Sequence, residues 1–130
     1  MLCSVRLDGS TACMAVNAAT DAEVFRSYVQ EVLVPTLRSG DVVVMDNLAP
    51  HKSEETLALI RAAQAEVLFL PPYSPDLNPI EKMWSKVKQT LRSLEARTEA
   101  ELHEAIAAAL RKVTAQDAAH WFASCGYSFI

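Results

Sequence analysis

The sequence predicts an α/β protein, a mixed sheet flanked by helices. Two short apolar runs flank the turn dipeptide Asp8-Gly9, which signals a β-hairpin. Downstream, the run Asp41-Val42-Val43-Val44-Met45-Asp46 has the length and β-branching of a strand buried on both faces. Between and after these runs, apolar residues recur at helical spacing. The resulting order, β, β, α, β, α, β and then helices, is that of a sheet with a hairpin edge.

The hairpin comprises residues 2–7 and 11–16 around Asp8-Gly9-Ser10. A core-packing helix follows over 21–37, with Val24, Phe25, Tyr28, Val32 and Leu33 on one face, ending before Gly40, where a left-handed cap costs little. After the strand 42–46 comes a helix over 53–63, with Ser53 as N-cap and Glu54 and Glu55 in its first turn, and then a strand over 66–70. A Pro-rich loop leads to a helix over 79–94 whose apolar face is Ile80, Met83, Trp84, Val87 and Leu91. Thr98 and Glu101 form a capping box for a helix through Leu102, Ile106, Leu110 and Val113, and a short helical segment over 116–124 stops at Gly126. No internal repeat and no linker divides the 130 residues, so a single domain is expected.

A 51% hydrophobic content supports a real core and argues against disorder. No apolar run reaches the roughly 20 residues that span a bilayer, and no signal peptide is evident, so a cytoplasmic protein without membrane contact is expected. Cys3, Cys13 and Cys125 are odd in number and show no zinc-ligand spacing; they read as ordinary thiols. Net charge is −4, which by itself disfavours binding to phosphate backbones. The distribution offsets this: Lys82, Lys86, Lys88, Arg92 and Arg97 gather in one segment. The first four are candidate DNA-backbone contacts, and a solvated helix face is the plainer explanation.

Two acids stand at element ends, where side chains can converge. Asp46 closes the Val-rich strand and Glu81 opens the helix after the loop, with 34 residues between them. An ionised carboxylate ending a buried strand must face a cleft or a cation. Each acid also has a local explanation: Asp46-Asn47 is good turn chemistry, and Asn78-Pro79-Ile80-Glu81 is a sound capping box. His51 reads as a surface residue or, less simply, a ligand, since hard Mg²⁺ prefers oxygen. Pro72 and Pro75 fit a minimal P-x-x-P docking motif, but a rigid connector is the simpler reading.

The conjunction is more specific than its parts. Met45-Asp46-Asn47-Leu48-Ala49-Pro50-His51-Lys52, then Phe69-Leu70-Pro71-Pro72-Tyr73-Ser74-Pro75-Asp76-Leu77-Asn78-Pro79-Ile80-Glu81, then Trp84 and Lys88, resemble the catalytic core of mariner-like and insertion-sequence transposases that use an Asp, Asp, Glu triad. The match covers roughly residues 41–92, and the similar preceding helix and Val34-Pro35-Thr36-Leu37 extend the resemblance over most of the chain. It implies a ribonuclease H-like fold with a five-stranded mixed sheet, two Mg²⁺ or Mn²⁺ ions, and cleavage and transfer of DNA strands at transposon ends. By position, Asp46 and Glu81 are the second and third triad acids and metal ligands; Asn47 and His51 belong to the motif without an implied role. The family's first Asp lies on a central strand upstream of the hairpin, and its helix-turn-helix region lies further upstream, so residues 1–130 read as a partial catalytic domain lacking both. Asp8, in a turn setting, is a poor substitute; Asp21 reads as a helix-start residue and Asp41 as a turn acid. Expected partners are DNA and either a second copy or an upstream transposase fragment. Whether the chain alone is an active enzyme stays open. The competing readings are a non-catalytic module that binds a transposase through an open sheet edge, and an unrelated metal-dependent phosphoesterase.

Overall fold

The first two apolar runs pair as a hairpin, β1 (Leu2–Val5) with β2 (Thr11–Met14), in a computed structural model that describes residues 1–16, 21–46 and 53–127. Gly9 N–H donates to the Arg6 carbonyl and Arg6 N–H to the Ser10 carbonyl, both at 2.9 Å. Gly9 takes φ +88°, the left-handed residue that such a turn requires. Asp8 accepts from the Ser10 N–H at 2.9 Å, which is the turn role read from the sequence. The same register brings Cys3 opposite Cys13 with Cα atoms 4.1 Å apart, and the two form a disulfide. This corrects the reading of both as ordinary thiols. Ten residues of sequence separation become one cross-strand contact once the hairpin closes. Cys125 remains a buried thiol.

The chain forms two compact units, Met1–Ser4 with Ala12–Asn78, and Val5–Thr11 with Pro79–Ile130. In the first, Asp21 caps α1 (Ala22–Tyr28) by accepting from the Val24 N–H at 2.9 Å. The predicted single helix over 21–37 changes its winding after Tyr28, running through a π-helical turn, Val29–Leu33, and a 3₁₀ turn, Val34–Thr36. Pro35 is the cause we assign, since it has no N–H for the carbonyl four residues back and its ring crowds that carbonyl. Gly40 then takes φ +89° and leads into β3 (Val42–Met45).

β3 pairs in parallel with β4 (Glu66–Phe69), Val42 opposite Glu66 and Met45 opposite Phe69, and α2 (Glu54–Ala62) lies between them in sequence. Ser53 is the N-cap of α2 by position, but its side chain makes no capping hydrogen bond. The core of this unit joins Phe25, Tyr28, Val29 and Leu33 to Met45, Leu57, Ile60 and Ala65. Leu2 and Met14 of the hairpin and Val43, Val67 and Phe69 of the parallel pair line the same cluster. Strand alternation directs Val42, Val44 and Leu68 to the other face. There Val42 is 54% and Leu68 48% exposed, which corrects the expectation of a strand buried on both faces. The protein is therefore mixed α/β, with two two-stranded sheets among the described residues, β1-β2 and β3-β4.

The second unit is a helical cluster. α3 (Pro79–Leu94) begins with proline at its first position and packs against α4 (Glu99–Arg111) and α5 (Ala115–Ser124). Met83 and Val87 of α3 are buried, and so are Ala105, Ala109 and Ala118, whose small side chains allow close helix approach. Thr98 caps α4 by accepting from the Glu101 N–H at 3.1 Å, while the Glu101 carboxylate reaches back to the Arg97 N–H at 2.8 Å. Thr114 and Asp117 form a complete capping box on α5, which the sequence reading missed although Thr-x-x-Asp was legible. Gly126, at φ +94°, ends α5 as expected. Gly9 of the hairpin turn sits against the α4-α5 connection, where an added Cβ would come within 2.7 Å of the Thr114 carbonyl carbon.

Candidate metal and nucleic-acid site

Asp46 follows β3 directly. The Leu70 N–H donates to the Met45 carbonyl at 2.8 Å, so the two parallel strands end side by side and Asp46 stands at their carboxyl edge. Ligands of parallel α/β sheets gather at that edge, because the loops that leave it diverge and open a crevice. The residue is half-buried and its Oδ1 is shielded from solvent. Asn47 and His51, predicted as parts of the same motif, lie outside the described residues.

Glu81 occupies the first turn of α3 and is exposed. The face it shares is polar: Ser85, Lys88 and Arg92 follow at helical spacing and are all exposed, opposite Met83 and Val87. At 1.5 Å per residue, Lys88 and Arg92 lie roughly 10 and 16 Å along the axis from Glu81. The other two basic candidates are set apart. Lys82 is half-buried, and Lys86 turns toward α5, donating to the Lys112 carbonyl at 2.9 Å and pairing with Asp117. That ion pair, reinforced by the Thr114 N–H, holds the Asp117 carboxyl below the usual carboxylate range. Lys86 therefore already serves as a tie between helices, a role that spacing along α3 alone did not reveal.

The carboxylates of Asp46 and Glu81 are hard oxygen donors of the type that Mg²⁺ and Mn²⁺ take. Among the described residues no group of three or more His, Cys, Asp or Glu side chains is arranged to hold a metal. Asp46 belongs to the first unit and Glu81 to the second. Each carboxylate is by its chemistry a donor of the kind a divalent ion takes.

The described residues thus form an α/β protein in which a parallel strand pair ends on one acid, Asp46, and a separate helix opens on another, Glu81. The chain belongs to the DDE superfamily endonucleases, whose family model matches residues 1–103. It is 29% identical over 85 residues to the transposase of the transposable element Tcb2 of Caenorhabditis briggsae, covering 62% of this chain and 31% of the relative. To the Tcb1 transposase of the same organism it is 30% identical over 80 residues, covering 58% and 29% respectively. An uncharacterized 39 kDa protein of insertion element IS630 from Shigella sonnei is 27% identical over 85 residues, covering 64% and 24%. The chain thus matches about a third or less of the length of these relatives. The motif resemblance to DDE transposases holds, and it extends beyond residues 41–92. No described helix is long and apolar enough to cross a membrane.

Proposed function

We propose that this chain is part of a DDE transposase catalytic domain, acting in metal-dependent cleavage and joining of DNA strands. The observation that carries this reading is the family match over residues 1–103, with Asp46 at the carboxyl edge of the parallel pair and Glu81 opening α3. Asp46 and Glu81 would hold Mg²⁺ or Mn²⁺. Two such ions, when bound, stabilise charge on the scissile phosphate and lower the pKa of an attacking water. The protein's own contribution is rigidity: a strand end and a helix start fix their carboxylates better than loops can. Lys88 and Arg92, with Lys82 beside them, would neutralise backbone phosphates of the strand leading to Glu81. Lys86 is the weakest of the four candidates, because it is already paired with Asp117.

Two carboxylates are one fewer than the family's triad. We read the third as coming from a further transposase segment, seated as a strand between the hairpin and β3 in a ribonuclease H-like sheet. Among the described residues, both two-stranded sheets line one core without pairing with each other, which is consistent with a strand position between them. The test is Mg²⁺- and Mn²⁺-dependent cleavage of labelled transposon-end DNA by the chain alone and with an upstream transposase segment added. Weak cleavage alone, gain on addition, and loss in Asp46→Asn or Glu81→Gln are the expected results. Robust cleavage by the chain alone that persists in both variants, or disappears in Asp8→Ala, would overturn the assignment. The second reading, a non-catalytic module joining a transposase by strand addition, draws on the exposed Val42 and Leu68 of the parallel pair. It predicts association with the upstream segment and no cleavage under either metal.

A further inference from the structure

Tyr73 is the one exposed large apolar side chain of the loop between β4 and α3, and at 101% its ring is wholly in water. Its backbone is left-handed at φ +57°, a conformation that glycine would take without penalty and that a bulky residue resists. Neither packing nor backbone geometry accounts for a tyrosine here. The loop also holds it stiffly. Pro71 and Pro72 precede it, Ser74 donates its hydroxyl to the Pro72 carbonyl at 3.3 Å, and Pro75 opens the 3₁₀ turn Pro75–Leu77. A strained residue in a stiffened loop is prepared for contact before any ligand arrives.

Its position indicates the ligand. Leu70 is buried and hydrogen-bonded to Met45, so β4 is anchored one residue from Asp46. Three residues of chain reach at most about 10 Å, which keeps Tyr73 close to the carboxyl edge where Asp46 stands. An aromatic ring with free faces, beside an edge that handles nucleic acid, offers what an unpaired base requires, because every base has a π-face and stacking needs no particular sequence.

We propose that Tyr73 stacks on an unpaired nucleobase of the DNA strand brought to this edge. The proposal rests on the DNA reading given above. Its test uses a fluorescent single strand of about 12 nucleotides, within the length one such surface covers, and the matching duplex. Tyr73→Ala should weaken single-strand binding about tenfold, while Tyr73→Trp retains it. A 5-iododeoxyuridine in the strand should cross-link to the peptide carrying Tyr73. Tyr73→Ala and Tyr73→Gly should melt no lower than the parent, since the ring is unburied, which separates lost binding from lost folding. Unchanged single-strand affinity in Tyr73→Ala, with Lys88→Ala still weakening binding, would overturn stacking and leave the DNA reading standing. Absence of binding to either DNA form, in every variant, would overturn both. Self-association that Tyr73→Ala abolishes, with DNA affinity unchanged, would assign the ring to a protein contact and reject the proposal.

Discussion

Tyr28 and Lys86 each join segments distant in sequence through polar contacts of one side chain. The Tyr28 hydroxyl donates to the Ala12 carbonyl at 2.8 Å and so ties α1 to the hairpin, inside a ring environment that is 3% exposed. Tyr28→Phe keeps the burial and removes the bond, with an expected loss of about 1 kcal/mol in urea unfolding. Burial raises the Tyr28 pKa, against a smaller lowering from Ser4. The sign follows from linkage: a group raised in the folded state stabilises below its ordinary value of 10 and ceases to as pH climbs through the folded value. Thermal melts above pH 10 should therefore fall more steeply for the parent than for Tyr28→Phe. Asp117 behaves oppositely, because Lys86 lowers its pKa. Its contribution is present above the ordinary value of 3.8 and is lost as pH falls through the lower folded value. Lys86→Met should flatten that acid limb in melts between about pH 2 and 5, and an unaltered limb would show that the pair does not stabilise the helical unit.

At the scale of elements, the hairpin has two constraints that the other strands lack. The Cys3-Cys13 bond closes a loop of about ten residues, for which the chain-entropy account gives a stabilisation of about 2 to 3 kcal/mol. A dithiol reductant should lower the unfolding midpoint of the parent and leave Cys3→Ala/Cys13→Ala unmoved; equal midpoints for the parent with and without reductant would mean the link adds nothing. Gly9 is the second constraint. A side chain there meets both the positive φ and the Thr114 backbone, so Gly9→Ala should cost more than the roughly 1 kcal/mol of a simple left-handed glycine, read by the same unfolding curves. Where a single local signal governed an element, its type and position were readable. Pro79 and the apolar spacing of α3 gave its ends, residues 79–94, as observed. Where two signals competed, the outcome was not readable: helical periodicity ran through Val32 and Leu33, but Pro35 imposed a change of winding before it.

For the molecule as a whole, the strand edges left unpaired among the described residues and the exposed Val42 and Leu68 are surfaces that a stable sheet usually covers. We expect the chain to associate, with itself or with a transposase segment that adds a strand. Sedimentation across a concentration series should show mass rising with concentration; a single monomeric species at every concentration would reject self-association. Asp46 and Glu81 were singled out from the sequence because each stands at an element boundary inside a dense motif, and the structure places them at those boundaries, after β3 and in the first turn of α3. The engagement of Lys86 with Asp117 was not legible there, because it depends on how α5 packs against α3.

The sequence by itself determined the order of strands and helices, the glycine turns and the family. These depend on residues within a turn or two of one another, so periodicity and capping chemistry suffice to encode them. The tertiary structure decided which cysteines meet, which lysine is taken by a neighbouring helix, which face of the Val-rich strand stays open, and that Tyr73 stands alone in water on a strained backbone. Each of these depends on register or on packing between segments far apart in sequence, and side-chain type does not specify either until the chain has closed on itself.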